Sequence, residues 1–254
     1  MTEPTLVAVQ DGIMIITINR PEAKNAIDKA TAVGISEALD ELDSNPDIQL
    51  AILTGAGGGF SSGMDLKAFM RGELPVVEGR GFAGVTEATI RKPLLAAVEG
   101  FALAGGFEIM LSCDLIVIAE DAKVGIPEVK RGLVAAGGGL LKMPRQMPKR
   151  LAMELALTGN PISAQRALEV GLVNQVTKSG EALATAIELA NSIKANGPLA
   201  VALSKEVINK ATDWSSEEMM QEQLKIVMPI FNSQDAKEGA LAFAEKRNPV
   251  WTGK

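Results

Sequence analysis

The chain has 254 residues, 47% of them hydrophobic, which is enough to bury one sizeable core and argues against intrinsic disorder. Its formal net charge of −6 and its 4% aromatic content are not those of a typical nucleic-acid binder, which presents basic and stacking side chains. Histidine is absent, which rules out Ser-His and Cys-His dyads and leaves carboxylates and lysines as the main proton carriers near neutral pH.

The beginning of the chain predicts a hairpin followed by a helix. Two β-branched runs, residues 6–9 and 13–18, flank Asp11-Gly12, a pair that primed hairpin turns prefer. Apolar residues then recur at helical spacing over residues 28–43, with Asp28 as the expected N-cap.

Strands and helices alternate in the middle of the chain. Apolar runs at residues 50–53, 94–98 and 115–119 predict buried strands, and residues 105–112 predict a helix. This alternation implies crossover connections, and hence a largely parallel sheet covered by helices. The glycine-rich segment 72–84 has weak periodicity, so we expect a flexible loop there.

The last part of the chain predicts helices only. They lie at residues 198–211, 216–228 and 234–246. We therefore divide the chain into an α/β core, residues 1–195, and a helical region, residues 196–254. Such a helical region packs either on its own core or on a neighbouring subunit.

Residues 55–66 (GAGGGFSSGMDL) match more than one functional pattern. Residues 59–63 fit G-x-S-x-G, which in many hydrolases places a nucleophilic serine on a tight turn. Without histidine, only a lysine such as Lys67 could activate Ser61. A phosphate-binding loop is disfavoured because it requires Gly-Lys-Ser/Thr, and Asp65 would repel phosphate. A surface turn that merely needs glycine is the third interpretation.

A second glycine-rich turn lies in residues 98–108 (VEGFALAGGFE), between a predicted strand and a predicted helix. The amide groups in the first turn of a helix lack intrahelical partners and point outward at the positive end of the helix dipole. The first loop also leads into a predicted short helix, residues 65–69. Two such helix starts that face one another would form an oxyanion hole.

Taken in order, these segments resemble the enoyl-CoA hydratase/isomerase (crotonase) superfamily over nearly the whole chain. The matching segments are residues 19–26 (NRPEAKNA), 60–66 (FSSGMDL), 92–100 (KPLLAAVEG), 104–108 (AGGFE), 113–114 (CD), 125–128 (GIPE), 171–174 (GLVN) and 238–247 (EGALAFAEKR). The resemblance implies a crotonase-like spiral of ββα units, with a C-terminal helical region that assembles trimers, often stacked as hexamers. It also implies an acyl-CoA thioester substrate, no separate cofactor, since coenzyme A is part of that substrate, and no metal.

The resemblance also implies the catalytic groups. The backbone N–H groups of Met64 and Gly105 would form the oxyanion hole, and Glu108 and Glu128 occupy the positions of the hydratase pair. We assign Glu108 to water activation and Glu128 to proton exchange at C2. The alternatives without a catalytic role are an exposed helix glutamate at position 108 and a solvated loop acid at position 128.

The remaining implied contacts belong to the coenzyme A part of the substrate. Asp65 and Leu66 would line the adenine end, and Lys24 would lie near the phosphates or the pantetheine arm. Ala26 and Ser62 complete the expected substrate-binding set. On this interpretation Ser61 and Ser62 form a turn beside the thioester and are not nucleophiles.

These assignments predict an enoyl-CoA hydratase that adds water in the syn sense to 2-enoyl-CoA thioesters and gives 3-hydroxyacyl-CoA. The alternatives are Δ3/Δ2-enoyl-CoA isomerisation or another acyl-CoA reaction on this scaffold and, remotely, an RNA-binding protein with the same fold. Met64 is bulkier than the residue common at its position, and Ala104 replaces a more usual glycine. These departures leave the acyl chain length open.

The expected location is the cytoplasm. Residues 1–4 (MTEP) lack the basic flank and apolar core of a signal peptide, and no apolar run approaches the ~20 residues that span a bilayer. The single cysteine, Cys113, cannot form an internal disulfide, which fits a reducing compartment. We expect no nucleic-acid partner and no membrane partner.

Overall fold

The computed structural model describes residues 3–254, so the part of the signal-peptide expectation that concerns Met1 and Thr2 lies outside it. The strands are β1 (Thr5–Gln10), β2 (Ile13–Ile18), β3 (Leu50–Gly55), β4 (Val76–Val77), β5 (Gly81–Phe82), β6 (Leu94–Val98), β7 (Phe101–Leu103), β8 (Leu115–Ala119), β9 (Lys123–Gly125), β10 (Ile162–Ser163) and β11 (Gln175–Thr177). The α-helices are α1 (Lys29–Ser44), α2 (Leu66–Met70), α3 (Gly105–Met110), α4 (Gly139–Gln146), α5 (Lys149–Thr158), α6 (Ala164–Glu169), α7 (Ala182–Lys194), α8 (Pro198–Ala211), α9 (Met219–Val227) and α10 (Gln234–Glu245). Short 3-10 helices lie at Pro21–Ala23, Pro127–Arg131 and Met228–Asn232.

The main sheet has six strands in the order β1-β2-β3-β6-β8-β11. The β1–β2 pair is antiparallel, and every other pair is parallel, which confirms the predicted crossover connections. Asp11 and Gly12 have φ values of 51° and 76°, so the predicted primed turn between β1 and β2 is confirmed.

Both faces of the main sheet are buried. Because side chains alternate along a strand, Ala51 and Leu53 of β3 pack into the larger core with α1, whereas Leu50 and Ile52 pack on the other face against α7. The fully buried residues of α7 are the small side chains Ala182, Ala186 and Ala190, and larger apolar residues of the helix pack around them. The helix therefore lies close to the strands.

Helix α1 begins where the sequence predicts. The carboxylate of Asp28 accepts a hydrogen bond from the Thr31 amide at 2.9 Å, as an N-cap does. The expectation for residues 72–84 is wrong in part, because this segment contains the β4–β5 hairpin. The hairpin places Phe82 inside the fold, where it is half-buried.

A second, three-stranded sheet, in which β7 and β9 follow the main strands β6 and β8 along the chain, positions the site. In the order β10-β9-β7, β7 pairs parallel with β9, and Leu103 lies opposite Gly125. Ser61 forms an isolated bridge to Ala102 of β7, which extends this layer toward the first glycine-rich loop. Each turn of the chain thus contributes a strand to the main sheet, a short strand or bridge to the second sheet, and a helix.

The C-terminal region consists of α8, α9 and α10, close to the predicted bounds. Lys205 of α8 forms a salt bridge with Asp114 at 2.6 Å and so ties this region to the core. Helices α8 and α9 contain no buried residue in the single chain. The domain boundary at residue 195 stays a prediction. In residues 3–254 no helix combines the length and the apolarity needed to cross a membrane.

Candidate active site

A cavity with a volume of about 1390 Å³ lies where the second sheet meets the first glycine-rich loop. This exceeds the roughly 300–1,000 Å³ of most small-molecule pockets. All nine residues that the sequence predicts for the site line it: Lys24, Ala26, Ser62, Met64, Asp65, Leu66, Gly105, Glu108 and Glu128. The structure therefore brings the predicted set together in one cavity.

The two glycine-rich turns touch each other at the bottom of this cavity. A Cβ placed on Gly63 would lie 2.7 Å from the Gly105 nitrogen, and one on Gly106 would lie 2.2 Å from the Ser61 carbonyl oxygen. Gly63 also has a φ of +92°, which L side chains rarely adopt. Glycine is therefore required at these positions for the two backbones to meet.

The backbone hydrogen bonds of the first glycine-rich loop leave the Met64 amide without a partner in the described chain. The Ile27 amide donates to Gly63 O at 2.8 Å, and the Asp65 amide donates to Ile27 O at 2.9 Å, so the intervening Met64 amide faces the other way. Within residues 3–254, neither the N–H of Met64 nor that of Gly105 finds a hydrogen-bond acceptor. Two unpaired donors thus line the cavity from adjoining turns.

Ala104 holds the second turn in a strained conformation. Its φ is 53° and its ψ is −130°, a combination that favours glycine and costs an alanine about 1–3 kcal/mol. The Ala104 amide donates to Gly125 O at 2.9 Å and the Leu103 amide to Ser61 O at 3.0 Å, which fixes the peptide that precedes Gly105. The replacement of the usual glycine by Ala104 therefore carries a conformational cost that the sequence alone does not indicate.

Glu108 is buried in the wall of the cavity, with 3% of its surface exposed. Its Oε1 accepts a hydrogen bond from the Gly139 amide at 2.9 Å, and a Cβ on Gly137 would lie 2.6 Å from its Oε2. Burial raises the pKa of Glu108, while the amides of Gly139 and Gly137 and the charge of Lys142 oppose that rise. An exposed helix glutamate is therefore ruled out.

Glu128 lies in the 3-10 helix Pro127–Arg131, on another wall of the same cavity. Its Oε2 is buried and has no hydrogen-bond partner in the described chain. Burial, together with the nearby charge of Glu108, raises the pKa of Glu128 to about 7. Lys130 does not neutralise it, because its ammonium donates to Asn160 at 2.7 Å. A solvated loop acid is therefore ruled out as well.

The register of the second sheet explains why the two acids meet. Leu103 ends β7 opposite Gly125, which ends β9. Because the strands are parallel, the segments that follow them leave the same edge of the sheet. Glu108 lies in the helix after β7 and Glu128 in the 3-10 helix after β9, so both face one cavity.

Known proteins share this architecture. Residues 8–254 match the protein-family model described as enoyl-CoA hydratase/isomerase. The chain belongs to the enoyl-CoA hydratase/isomerase family. It is 42% identical over 250 residues, 95% of each chain, to a carnitinyl-CoA dehydratase of Salmonella enteritidis PT4. Two crystal structures cover 100% of both chains with TM-scores of 0.98: enoyl-CoA hydratase EchA1 from Mycobacterium marinum, 56% identical, and an enoyl-CoA hydratase from Mycobacterium tuberculosis H37Rv, 57% identical.

These comparisons confirm the predicted crotonase superfamily and its α/β fold. The chain is a crotonase-type hydratase, an enzyme of the hydro-lyase class. The ββα turns described above are the crotonase spiral.

Ser61 of this hydratase has a structural role. It is fully buried, its hydroxyl donates to Asn25 O at 2.8 Å, and it accepts from the Gly63 amide at 3.1 Å. Lys67, the lysine that could activate its hydroxyl, is exposed at the cavity rim. The geometry therefore disfavours the serine-lysine hydrolase and favours the turn.

The carboxylate of Asp65 is already engaged. It caps α2 by accepting from the amides of Lys67 and Ala68, and it accepts from Arg20 Nη2 at 2.9 Å. Burial favours a higher pKa, but these hydrogen bonds outweigh it and hold the pKa of Asp65 below its ordinary value. The Asp65 carboxylate therefore stabilises the start of α2 and its contact with Arg20. Lys24 is exposed beside it at the rim.

Three further residues shape the site and were not singled out from the sequence. Asn25 is buried and donates to Ala56 O and Gly59 O, which pins the first loop. The ring of Phe82 lies 2.5 Å from where a Cβ on Gly105 would be, so it covers the second turn. The positive charge of Lys142 acts to lower the pKa of Glu108. For Lys142, the signal in the sequence is its position three residues after Gly139, which puts both residues on one side of a helix.

Proposed function

We propose that this hydratase adds water in the syn sense across the C2–C3 double bond of a 2-enoyl-CoA thioester and releases 3-hydroxyacyl-CoA. The observation that carries the proposal is the meeting, in one cavity, of two unpaired amide donors with two carboxyl groups in different electrostatic surroundings.

The amides of Met64 and Gly105 take the thioester oxygen in this proposal. As water adds to C3, negative charge develops on that oxygen, and fixed donors stabilise the resulting enolate by about 3 kcal/mol each. The strained Ala104 supports this role, because strain of this kind is retained where the surrounding structure needs a particular peptide orientation.

The two glutamates divide the proton transfers. Glu108 accepts amide hydrogen bonds and feels the charge of Lys142, which favours its ionised form, so it takes a proton from water as the oxygen attacks C3. Glu128, with a pKa of about 7, holds a proton in a large share of molecules at neutral pH and delivers it to C2. The hydroxyl bonded to C3 and the proton that Glu128 gives to C2 together make up one water. Glu108 is left with a proton and Glu128 without one, so a proton lost by Glu108 to solvent and one taken up by Glu128 restore both groups.

Coenzyme A occupies the outer part of the cavity in this proposal. Ala26, Ser62, Asp65 and Leu66 line it through a backbone already fixed by hydrogen bonds, and the exposed ammonium of Lys24 stands where phosphate groups would need a cation.

Loss of enone absorbance with crotonyl-CoA and longer 2-enoyl-CoA thioesters tests this function. We expect Glu108→Gln and Glu128→Gln each to lower kcat by about 10²–10⁴-fold with little change in thioester affinity. Glu120→Gln is the control, because Glu120 is exposed and outside the cavity. If the protein shifts the double bond of 3-enoyl-CoA thioesters and does not hydrate 2-enoyl-CoA thioesters, the proposal of a hydratase is wrong and the function is isomerisation.

A second candidate concerns the acyl group. The relatives named carnitinyl-CoA dehydratase process an acyl group whose name implies a quaternary ammonium, and Glu87, whose carboxylate lies against Gly81, lines the same cavity as Phe82. A carboxylate beside an aromatic ring suits a cation of that kind. Hydration of crotonobetainyl-CoA in preference to crotonyl-CoA, with the preference reduced by Glu87→Gln, would favour this candidate, whereas unchanged preference would remove it.

We also propose that the helical region, residues 196–254, joins copies of this chain into trimers or hexamers. Large apolar side chains stay exposed there, including Phe243 at 87% and Leu224 at 45%. Exposed apolar patches of this kind mark association surfaces. Sedimentation velocity would give the assembly, and a Leu224→Asp/Phe243→Asp variant is expected to dissociate it. The cytoplasmic location and the expectation of no metal and no separate cofactor stay predictions.

A further inference from the structure

Lys142 lies one turn beyond the amide that holds Glu108, where α4 packs against α3. Its ammonium donates to Thr86 O at 2.7 Å and to Ser112 Oγ at 2.5 Å. Ser112 in turn donates to the backbone carbonyl of Glu108 at 2.7 Å. A short chain of hydrogen bonds thus joins Lys142 to the backbone of Glu108, while Gly139 of the same helix holds its carboxylate.

The acceptors of this ammonium are neutral, although it is largely withdrawn from water. Burial lowers the pKa of Lys142, and the charged or ionisable groups that face it and oppose this are Cys113, Glu108 and Glu87. Burying a cation against neutral oxygens costs free energy that an apolar side chain of similar length would not. The position of Lys142 is therefore better explained by its charge than by its packing.

The same charge acts on the proposed base. Burial disfavours ionised Glu108. Among residues 3–254, Lys142 is the positively charged side chain that opposes this effect at Glu108. Removing it would leave only the amides of Gly139 and Gly137 to keep that carboxyl ionised.

We propose that Lys142 is a positioning residue for hydration: its positive charge keeps the Glu108 carboxylate ionised, and its bridge through Ser112 holds α3 against α4. This inference rests on the proposed role of Glu108 as the base.

The experiment compares Lys142→Met, Lys142→Arg and Ser112→Ala with the native enzyme, and records kcat against pH for hydration of crotonyl-CoA. We expect the kcat of Lys142→Met, relative to the native enzyme at the same pH, to be lower on the order of tenfold at pH 6 and to approach the native value toward pH 9, where Glu108 ionises without help. Lys142→Arg keeps the charge and should restore the native profile. Ser112→Ala keeps the ammonium and should leave the pH dependence in place.

A loss that is the same at every pH, or equal in the Met and Arg variants, would show a purely structural role and overturn the proposal. An infrared titration of the protonated carboxyl band, assigned with Glu108→Gln, gives a readout that needs no substrate. If Lys142→Met moves that titration to higher pH, the electrostatic link between Lys142 and Glu108 holds, whether or not the native protein is active. Failure of the native protein to hydrate any 2-enoyl-CoA would instead reject the proposed function. Melting curves confirm that each variant is folded.

Discussion

Gly63→Ala tests the contact between the two turns, on which the proposed oxyanion hole depends. The new methyl group would lie 2.7 Å from the Gly105 nitrogen and 2.9 Å from the Ala104 Cβ, and neither atom can move without shifting backbone. A positive φ costs a non-glycine residue about 1–2 kcal/mol, and overpacking adds about 1–3 kcal/mol. We therefore expect a loss of about 2–5 kcal/mol in the free energy of unfolding, and displacement of the Gly105 amide.

The matched control is Gly58→Ala in the same loop. Gly58 has a φ of +79°, but nothing lies within 4 Å of its Cβ position, so this variant carries only the conformational cost. Urea unfolding at one protein concentration should place Gly63→Ala about 1–3 kcal/mol below Gly58→Ala. Hydration kinetics should show a kcat lower by about 10²–10³-fold for Gly63→Ala alone, the usual effect of losing one oxyanion donor. Equal stability and equal kcat in the two variants would refute the close approach of these turns.

Three further outcomes follow from the buried groups. Because burial raises the pKa of Glu128 to about 7, the cost of its buried charge is absent below the pKa of an unfolded glutamate and complete above pH 7. Glu128→Gln should therefore raise the melting temperature at pH 8.5 more than at pH 5.5, and an equal shift at both pH values would contradict this. Asn25→Ala orphans the Gly59 carbonyl oxygen and should cost about 3 kcal/mol in urea unfolding, whereas Asn191→Ala on the exposed side of α7 should cost far less. Burial raises the pKa of Cys113, so iodoacetamide at pH 8 should label it only after unfolding, and rapid labelling of folded protein would argue against its burial.

Local signals in the sequence were enough to predict five of the six strands of the main sheet and several boundaries, whereas β11, with three residues, was not predicted. Asp11-Gly12 sets the hairpin and Asp28 caps α1, because turns and caps depend on residues a few positions apart. The buried strands β3 and β6 are long enough for their apolar runs to be recognised. The composition of the site was predicted by family resemblance, and the cavity contains every residue of that set.

The second sheet and the electrostatics of the site could not be predicted in this way. Strands β7 and β9 have three residues each, too few for a period of two to be recognised, and β10 has two. The hairpin that carries Phe82 lies in a glycine-rich segment whose pattern indicates a loop. Lys142 looks like any surface lysine in the sequence, because its burial depends on the packing of α4 against α3.

The different surroundings of the two acids come from the same register that brings them together. Leu103 and Gly125 are paired neighbours, so the segments after β7 and β9 emerge side by side, and they leave Glu108 buried and Glu128 half-buried. Only Glu108 then meets α4, whose Gly139 amide and Lys142 charge favour ionisation, while Glu128 has a buried oxygen without a donor. Burial alone would leave two similar acids, and two similar acids could not exchange protons in opposite directions. In the proposed mechanism this asymmetry comes from α4, because the contacts of this helix with Glu108, more than the identity of the glutamates, distinguish the two carboxyl groups of the cavity.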